Sequence, residues 1–210
     1  MDLVTWIALL GAVLAAGISL PQFLLVVRTK TTHGLSLMAW VIAIGTGLGW
    51  LNHGIRLGVV NMIWPNLWSL TVAATVLYFL RRNGRYSRLT ALLPGFALAA
   101  VLIGMDYVVG SAAFGITMAV PQVFGMLRQA LALIRSPQVT GVSIMSWVLQ
   151  VINQVVWMTW AYLIHESGTL ICASASLVSA AFVLTWRLLR ACGLGPIALG
   201  QRANVPVEPV

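Results

Sequence analysis

Charge is what this chain has least of. Four of its 210 residues are acidic and only 8% are charged, against about one-quarter in soluble domains. Sixty per cent are hydrophobic, and the mean hydropathy is +0.95. That balance excludes an ordinary soluble domain and implies a polytopic membrane protein. Cysteine is nearly absent too. Cys172 and Cys192 have no metal-type spacing, which excludes a disulfide framework and a zinc site. HExxH, a phosphate-cradling glycine loop and a Ser/His/Asp set at workable depth are all missing, so neither enzymatic activity nor a metal or other cofactor is expected. The first apolar run lacks a basic leader, having only Asp2 ahead of it. It is also too long for the core of a signal peptide, so a permanent helix is expected.

What is present is a series of seven apolar runs, at residues 3–27, 35–55, 61–80, 90–108, 111–134, 142–164 and 168–189. Each is near the ~20 residues needed to cross a bilayer. Seven crossings put the loops on two alternating sides, and the basic residues divide between them very unequally. One side holds Arg28, Lys30, Arg81, Arg82, Arg85, Arg88, Arg128, Arg135, Arg187, Arg190 and Arg202; the other holds Arg56 alone. The positive-inside rule makes the basic side cytoplasmic, with the N-terminus outside and the C-terminus inside. The net charge of +8 is therefore a topology signal, and nucleic acid is not an expected partner. Membrane lipid is, and nothing in the sequence excludes a homo-oligomer. Residues 193–210, rich in Gly and Pro, read as a disordered cytoplasmic tail.

The chain also repeats itself. Pro21-Gln22 recurs as Pro121-Gln122, and small residues precede both at matching offsets: Gly11, Ala15 and Ser19, then Ser111, Gly115 and Ala119. Small residues every fourth position make a stripe where another helix can approach closely. Further on, VVRTKTTHGLSLMAW (26–40) aligns with LIRSPQVTGVSIMSW (133–147), pairing Arg28 with Arg135, Gly34 with Gly141 and Trp40 with Trp147. The same register pairs Trp50 with Trp157. Each copy is a three-helix unit. Three is odd, so a single extra crossing between the copies restores their parallel orientation. The expected fold is an all-α membrane protein of seven transmembrane helices. It has a first repeat (1–83), a linker helix (84–110), a second repeat (111–192) and the tail. Parallel repeats of this kind mark transporters, with the substrate site near the midplane.

A Pro-Gln in the first helix of a three-helix unit, then a basic loop with Gly-Leu-Ser or Gly-Val-Ser and Trp, occurring twice around a linker helix, resembles the PQ-loop superfamily. Within it, the chain most resembles the SWEET and SemiSWEET sugar transporters. The resemblance spans about residues 5–190 and implies the 3+1+3 plan with the N-terminus outside. WLNHGIRLGVVNMIWPNLW (50–68) resembles the family's second-to-third helix segment, which implies that Asn66 is the pocket amide and Trp50 the pocket aromatic. Trp157 takes the matching aromatic place in the second copy. Ala173, flanked by Cys172 and Ser174, takes the place of Asn66, so the second half is expected to offer at most the hydroxyl of Ser174. The acidic residue that the family often places after its second helix is missing from its expected places, Asn61 and Gly168.

An amide and an indole face suit a sugar's hydroxyls and its C–H surface, and an Asn in a bilayer must face the bundle interior. The alternative for Asn66 is a helix cap or a bond to a neighbouring helix. Pro21 and Pro121 interrupt the backbone ladder at equivalent places. They are read as hinges, with Gln22 and Gln122 donating to the freed carbonyls, and a static kink is the alternative. Asp2, Asp106, Glu166 and Glu208 all fall at ends or loops, and the three histidines lie near interfaces. With no buried carboxylate as a relay, facilitated diffusion is expected over proton coupling; His53 lies nearest the pocket. The expected function is facilitative transport of a small neutral polar solute, a mono- or disaccharide first, by alternating access. The alternatives are a proton-coupled amino-acid transporter of the same superfamily and a non-transporting receptor or assembly protein.

Overall fold

Short oxygen-bearing side chains start most of the helices. The computed structural model describes residues 2–32, 35–84, 86–135 and 142–197. Within them the carboxylates or hydroxyls of Asp2, Ser36, Ser87, Ser143 and Glu166 accept from backbone N–H groups of the first helical turn, which satisfies donors that hydrocarbon would leave bare. The helices are α1 (Leu3–Thr29), α2 (Leu37–Leu57), α3 (Val60–Gly84), α4 (Arg88–Val108), α5 (Ser111–Arg135), α6 (Ile144–Leu163) and α7 (Ser167–Ala191). No strand occurs among the described residues. Gly58 ends α2 in the left-handed conformation (φ 68°), and this tight reversal leads at once into α3. The expected runs and the observed helices agree to within a few residues.

Five helices, α1, α3, α4, α5 and α7, are long and apolar enough to cross a membrane. Helices α2 and α6 are long enough but less apolar, because α2 carries Asn52, His53 and Arg56, and α6 carries Gln150, Asn153 and Gln154. These two helices bring His53, Asn153 and Gln154 to the bundle interior.

Packing closes a ring. Proceeding round it, α1 touches α3, α3 touches α2, α2 touches α4, α4 touches α5, α5 touches α7, α7 touches α6, and α6 returns to α1. In each triplet the third helix lies between the first two. Bonds between helix ends show how the chain alternates. Asn61 reaches Thr5 O (3.5 Å) where α1 and α3 begin, and Asn83 reaches Lys30 O (2.9 Å) where they end. Arg187 near the end of α7 donates to Val142 O just before α6 (2.7 Å), and Ile197 N–H donates to Ile134 O at the end of α5 (2.9 Å). The bundle therefore has a basic pole, with Arg28, Arg81, Arg82, Arg88, Arg135, Arg187 and Arg190, and an opposite pole bearing Asp2, Arg56, Asp106 and Glu166. His33, Gly34, Arg85 and residues 136–141 and 198–210 lie outside the described residues. The Gly34–Gly141 pairing and most of the expected tail fall among them.

The small-residue stripes serve different neighbours. In α5 a Cβ on Gly115 would sit 2.2 Å from Gly168 O, so the two backbones meet there. In α1 the neighbours are side chains. A Cβ on Gly11 would strike the Trp157 ring at 2.9 Å, and Ser19 accepts from the Trp68 indole at 3.0 Å. Gly115→Ala is expected to lower stability by ~1–3 kcal/mol, the usual cost of overpacking. Gly104→Ala, with nothing within 4 Å of its Cβ, leaves stability unchanged or slightly raised. Thermal unfolding of the two variants in the same detergent checks the contrast.

Candidate functional site

The ring encloses a cavity of about 180 Å³. Helical periodicity decides which side chains line it. Met62, Asn66 and Ser69 share one face of α3, Asn153 and Trp157 one face of α6 beside Gln154, and Thr169, Cys172 and Ala173 one face of α7. Ala15 from α1, Trp50 from α2, Pro65 from α3 and Gln122 from α5 complete the wall, and α4 contributes nothing to it. No charged side chain is among these residues. Trp157 lies over Gly11 and meets Trp160 edge-on with centroids 5.6 Å apart. Trp50 meets Phe114 edge-on at 5.1 Å.

Of the residues singled out in the sequence, Trp50, Trp157, Asn66 and Ala173 come together at this cavity, while Ser174 is not among its lining residues. Asn66 Nδ2 donates to Met62 O at 2.7 Å, so one of its bonds is spent inside α3. Pro21 and Pro121 sit within the continuous helices α1 and α5. The Gln22 side chain lies outside the described part of the structure. Gln122 lines the cavity, and its Oε1 accepts from Ser176 Oγ on α7 at 3.0 Å.

Two expectations are overturned. The second half is not poorer in amides: Asn153 and Gln154, both buried, and Gln122 supply them from α6 and α5, in place of the Asn that Ala173 lacks. The signal was legible, because Asn153 stands one helical turn before Trp157 and so shares its face. Asn153 Oδ1 and Thr169 Oγ1 are buried without a hydrogen-bond partner. Such unpaired groups are costly unless a ligand or water meets them.

The second correction concerns charge. Asp106 and Glu166 are not solvated end residues but are 1% and 6% exposed, and His53 between them is fully buried. His53 Nδ1 lies 2.9 Å from Asp106 Oδ2. On the other side of the ring, Nε2 lies 3.4 Å from Glu166 Oε1 without hydrogen-bond geometry. Arg56 grips Asp106 with two bonds, Nε to Oδ2 at 2.9 Å and Nη2 to Oδ1 at 2.6 Å, the strong bidentate arrangement. Glu166 also accepts from Ser111 Oγ, from Gly168 N–H (2.8 Å) and from Thr169 N–H (2.5 Å). Burial pushes its carboxyl up, but the His53 ring and the bonds from Ser111 and Thr169 outweigh this and hold it well below the usual carboxylate range. Ser111 donates to Glu166 and not to His53. Glu166 stands between α6 and α7, and Asp106 is brought to α2 by α4.

The cluster adjoins the cavity. His53 stacks on Phe114 (4.4 Å) and meets Trp50 edge-on (5.8 Å). Thr169 lines the cavity while its N–H holds Glu166.

No protein-family model matches the chain, and neither does any curated protein.

Removing Asp106 leaves Arg56 and His53 without their anion, so Asp106→Ala is expected to cost ~3–5 kcal/mol, read as loss of unfolding free energy. Glu166 has a depressed folded value, so its contribution is fully present above its ordinary value of 4.5 and is lost as pH falls below that. Stability of the wild type is therefore expected to drop on acidification below that point, and Glu166→Gln to flatten the drop, as measured by unfolding midpoints across that range.

Proposed function

We propose that this chain carries a small neutral polar solute, a sugar first, across a membrane by alternating access around the central cavity. The observation that carries the proposal is the cavity's lining: amides and indole faces from both triplets, without a charged side chain. Amides exchange donor and acceptor bonds with hydroxyls, and Trp50 and Trp157 offer flat apolar faces. At about 180 Å³ the cavity is below the roughly 300–1,000 Å³ of drug-sized sites, which favours a monosaccharide over a disaccharide.

In this reading all seven helices cross the bilayer as two PQ-loop-like, SWEET-like repeats of three around the linker α4. Support comes from the matching packing order, α1–α3–α2 and α5–α7–α6, and from the duplicated Pro-Gln. His53 of α2 and Asn153 and Gln154 of α6 are buried in the bundle and so do not meet lipid. The basic pole is cytoplasmic by the positive-inside rule, which puts the N-terminus outside. Pro21 and Pro121 are the hinges on which the first helix of each unit swings, and Gln122, tied to Ser176 across the α5–α7 contact, moves with the second.

The buried Asp106–His53–Glu166 set removes the argument for purely facilitated diffusion and favours a second reading, proton-coupled carriage of an amino acid. The cavity itself weighs against that substrate, since a zwitterion held in an apolar site needs charged partners.

Uptake of labelled hexoses into proteoliposomes tests the proposal. Asn153→Leu is expected to cut the initial rate about tenfold, since a lost polar partner is worth ~1–3 kcal/mol and ~1.4 kcal/mol is a factor of ten. Trp157→Ala is expected to lower it by removing an apolar face. Amino-acid flux without hexose flux would replace the sugar reading with the second one.

A further inference from the structure

We propose that His53 is a proton-binding site, and that its proton latches α2, α4 and α7 together over one end of the cavity. The geometry is that of a ring with an acidic group at each nitrogen. Nδ1 faces Asp106 of α4 at 2.9 Å, and Nε2 faces Glu166, the cap of α7, at 3.4 Å. A ring with one proton satisfies one side only. With the proton on Nδ1, Nε2 is left fully buried without a hydrogen-bond partner, 3.4 Å from a carboxylate oxygen. With a second proton, taken from water at Nε2, the ring is a cation 3.4 Å from the Glu166 carboxylate and the cluster is neutral, since Arg56 and the imidazolium balance two carboxylates. Without it, a net negative charge is left buried, and burying an unbalanced charge is strongly unfavourable. Relief comes from moving Glu166, and with it the start of α7, away from α2. Imidazole is the one common side chain whose charge changes within the physiological pH range.

Among the described residues, the groups facing the ring come from α2, α4, α5 and the cap of α7. From α2 itself there is Arg56, engaged with Asp106 and lying 6.0 Å from the Tyr107 ring of α4. From α4 there are Asp106 and Tyr107, and from the cap of α7 there is Glu166. From α5, Ser111 and Phe114 are neutral. Helix α3, also packed on α2, has its titratable groups, Tyr78, Arg81 and Arg82, towards the opposite pole.

The latch reaches the cavity through two residues. Trp50 contacts the His53 ring edge-on and lines the cavity, and Thr169 holds Glu166 through its N–H and lines the cavity as well. A shift of α7 away from α2 therefore moves two cavity walls. The proposal rests on the carrier reading only for the place of this latch on a transport path; the proton site stands on the ring's geometry alone.

The test measures the latch without any solute. In the full chain, with Cys172→Ala and Cys192→Ser, spin labels on Ile55→Cys and Ser167→Cys report the α2–α7 distance in lipid nanodiscs by pulsed electron paramagnetic resonance. The expected result is a single short distance at pH 5.5 and a population longer by several ångströms at pH 8.5. Adding His53→Gln, which has no proton to lose in this range, makes the distribution the same at both pH values. Glu166→Gln keeps hydrogen-bonding capacity but removes the charge that repels a neutral ring, and it holds the short distance at both. A distribution independent of pH in the chain that retains His53 overturns the proposal, and so does a pH response that survives His53→Gln. A pH-responsive distance in a chain that moves no hexose leaves the proton site standing and removes the sugar-carrier reading instead.

Discussion

Hydrocarbon offers no hydrogen bonds, and the whole arrangement of this protein follows from that. Each polar side chain on an apolar helix must find its partner within the protein or in a cavity. The closed ring of helices provides one interior, and the amides of α3, α5 and α6 converge there. The perimeter shows the opposite composition: Val13, Val108, Ile116, Val120, Phe124 and Val178 are well exposed, as suits side chains facing lipid. Chain order matters less than ring order, since the third helix of each triplet sits between the first two and the linker α4 fills the gap between triplets.

The same constraint explains why ionic and amide groups occupy separate layers. Two carboxylates cannot be buried together without cations, and among the described residues only Arg56 and His53 are within reach. The charges therefore collect at one end of the ring, where α2 and α4 finish and α5 and α7 begin. The amides, which need no counter-charge, line the cavity beside them. Trp50, Phe114 and Thr169 form the boundary between the layers. Arg56 closes the cluster from outside with its two bonds to Asp106, and it keeps partial contact with solvent.

Much of the fold was legible because it is local. Helix positions follow from runs of apolar residues and from caps such as Ser36, Ser87 and Ser143, which act on backbone groups two or three residues away. Trp50 and Trp157 were legible through the internal repeat, and Asn66 only through the resemblance of residues 50–68 to a known family's segment. The amides of α6 were missed although the information was local: Asn153 and Gln154 lie within one turn of Trp157, but attention to the repeat favoured the position of Ala173. The ionic cluster was missed for a different reason. Asp106 is 53 residues from His53 and 50 from Arg56 along the chain, and each acidic residue sits at a helix end, where solvation is the ordinary expectation.

The sequence by itself determined the helical class, the number and limits of the helices, the unequal distribution of basic residues and the duplication of the Pro-Gln unit. All of these depend on composition, period or short-range contacts. Only the tertiary structure decided which amides share the cavity, that Gln122 binds Ser176, and that Asp106 and Glu166 join His53 and Arg56 in one ionic network. Burial and charge pairing belong to positions in space. Whether a carboxylate at a helix end is solvated or enclosed depends on which other helices end beside it, and that is set by the order of packing around the ring.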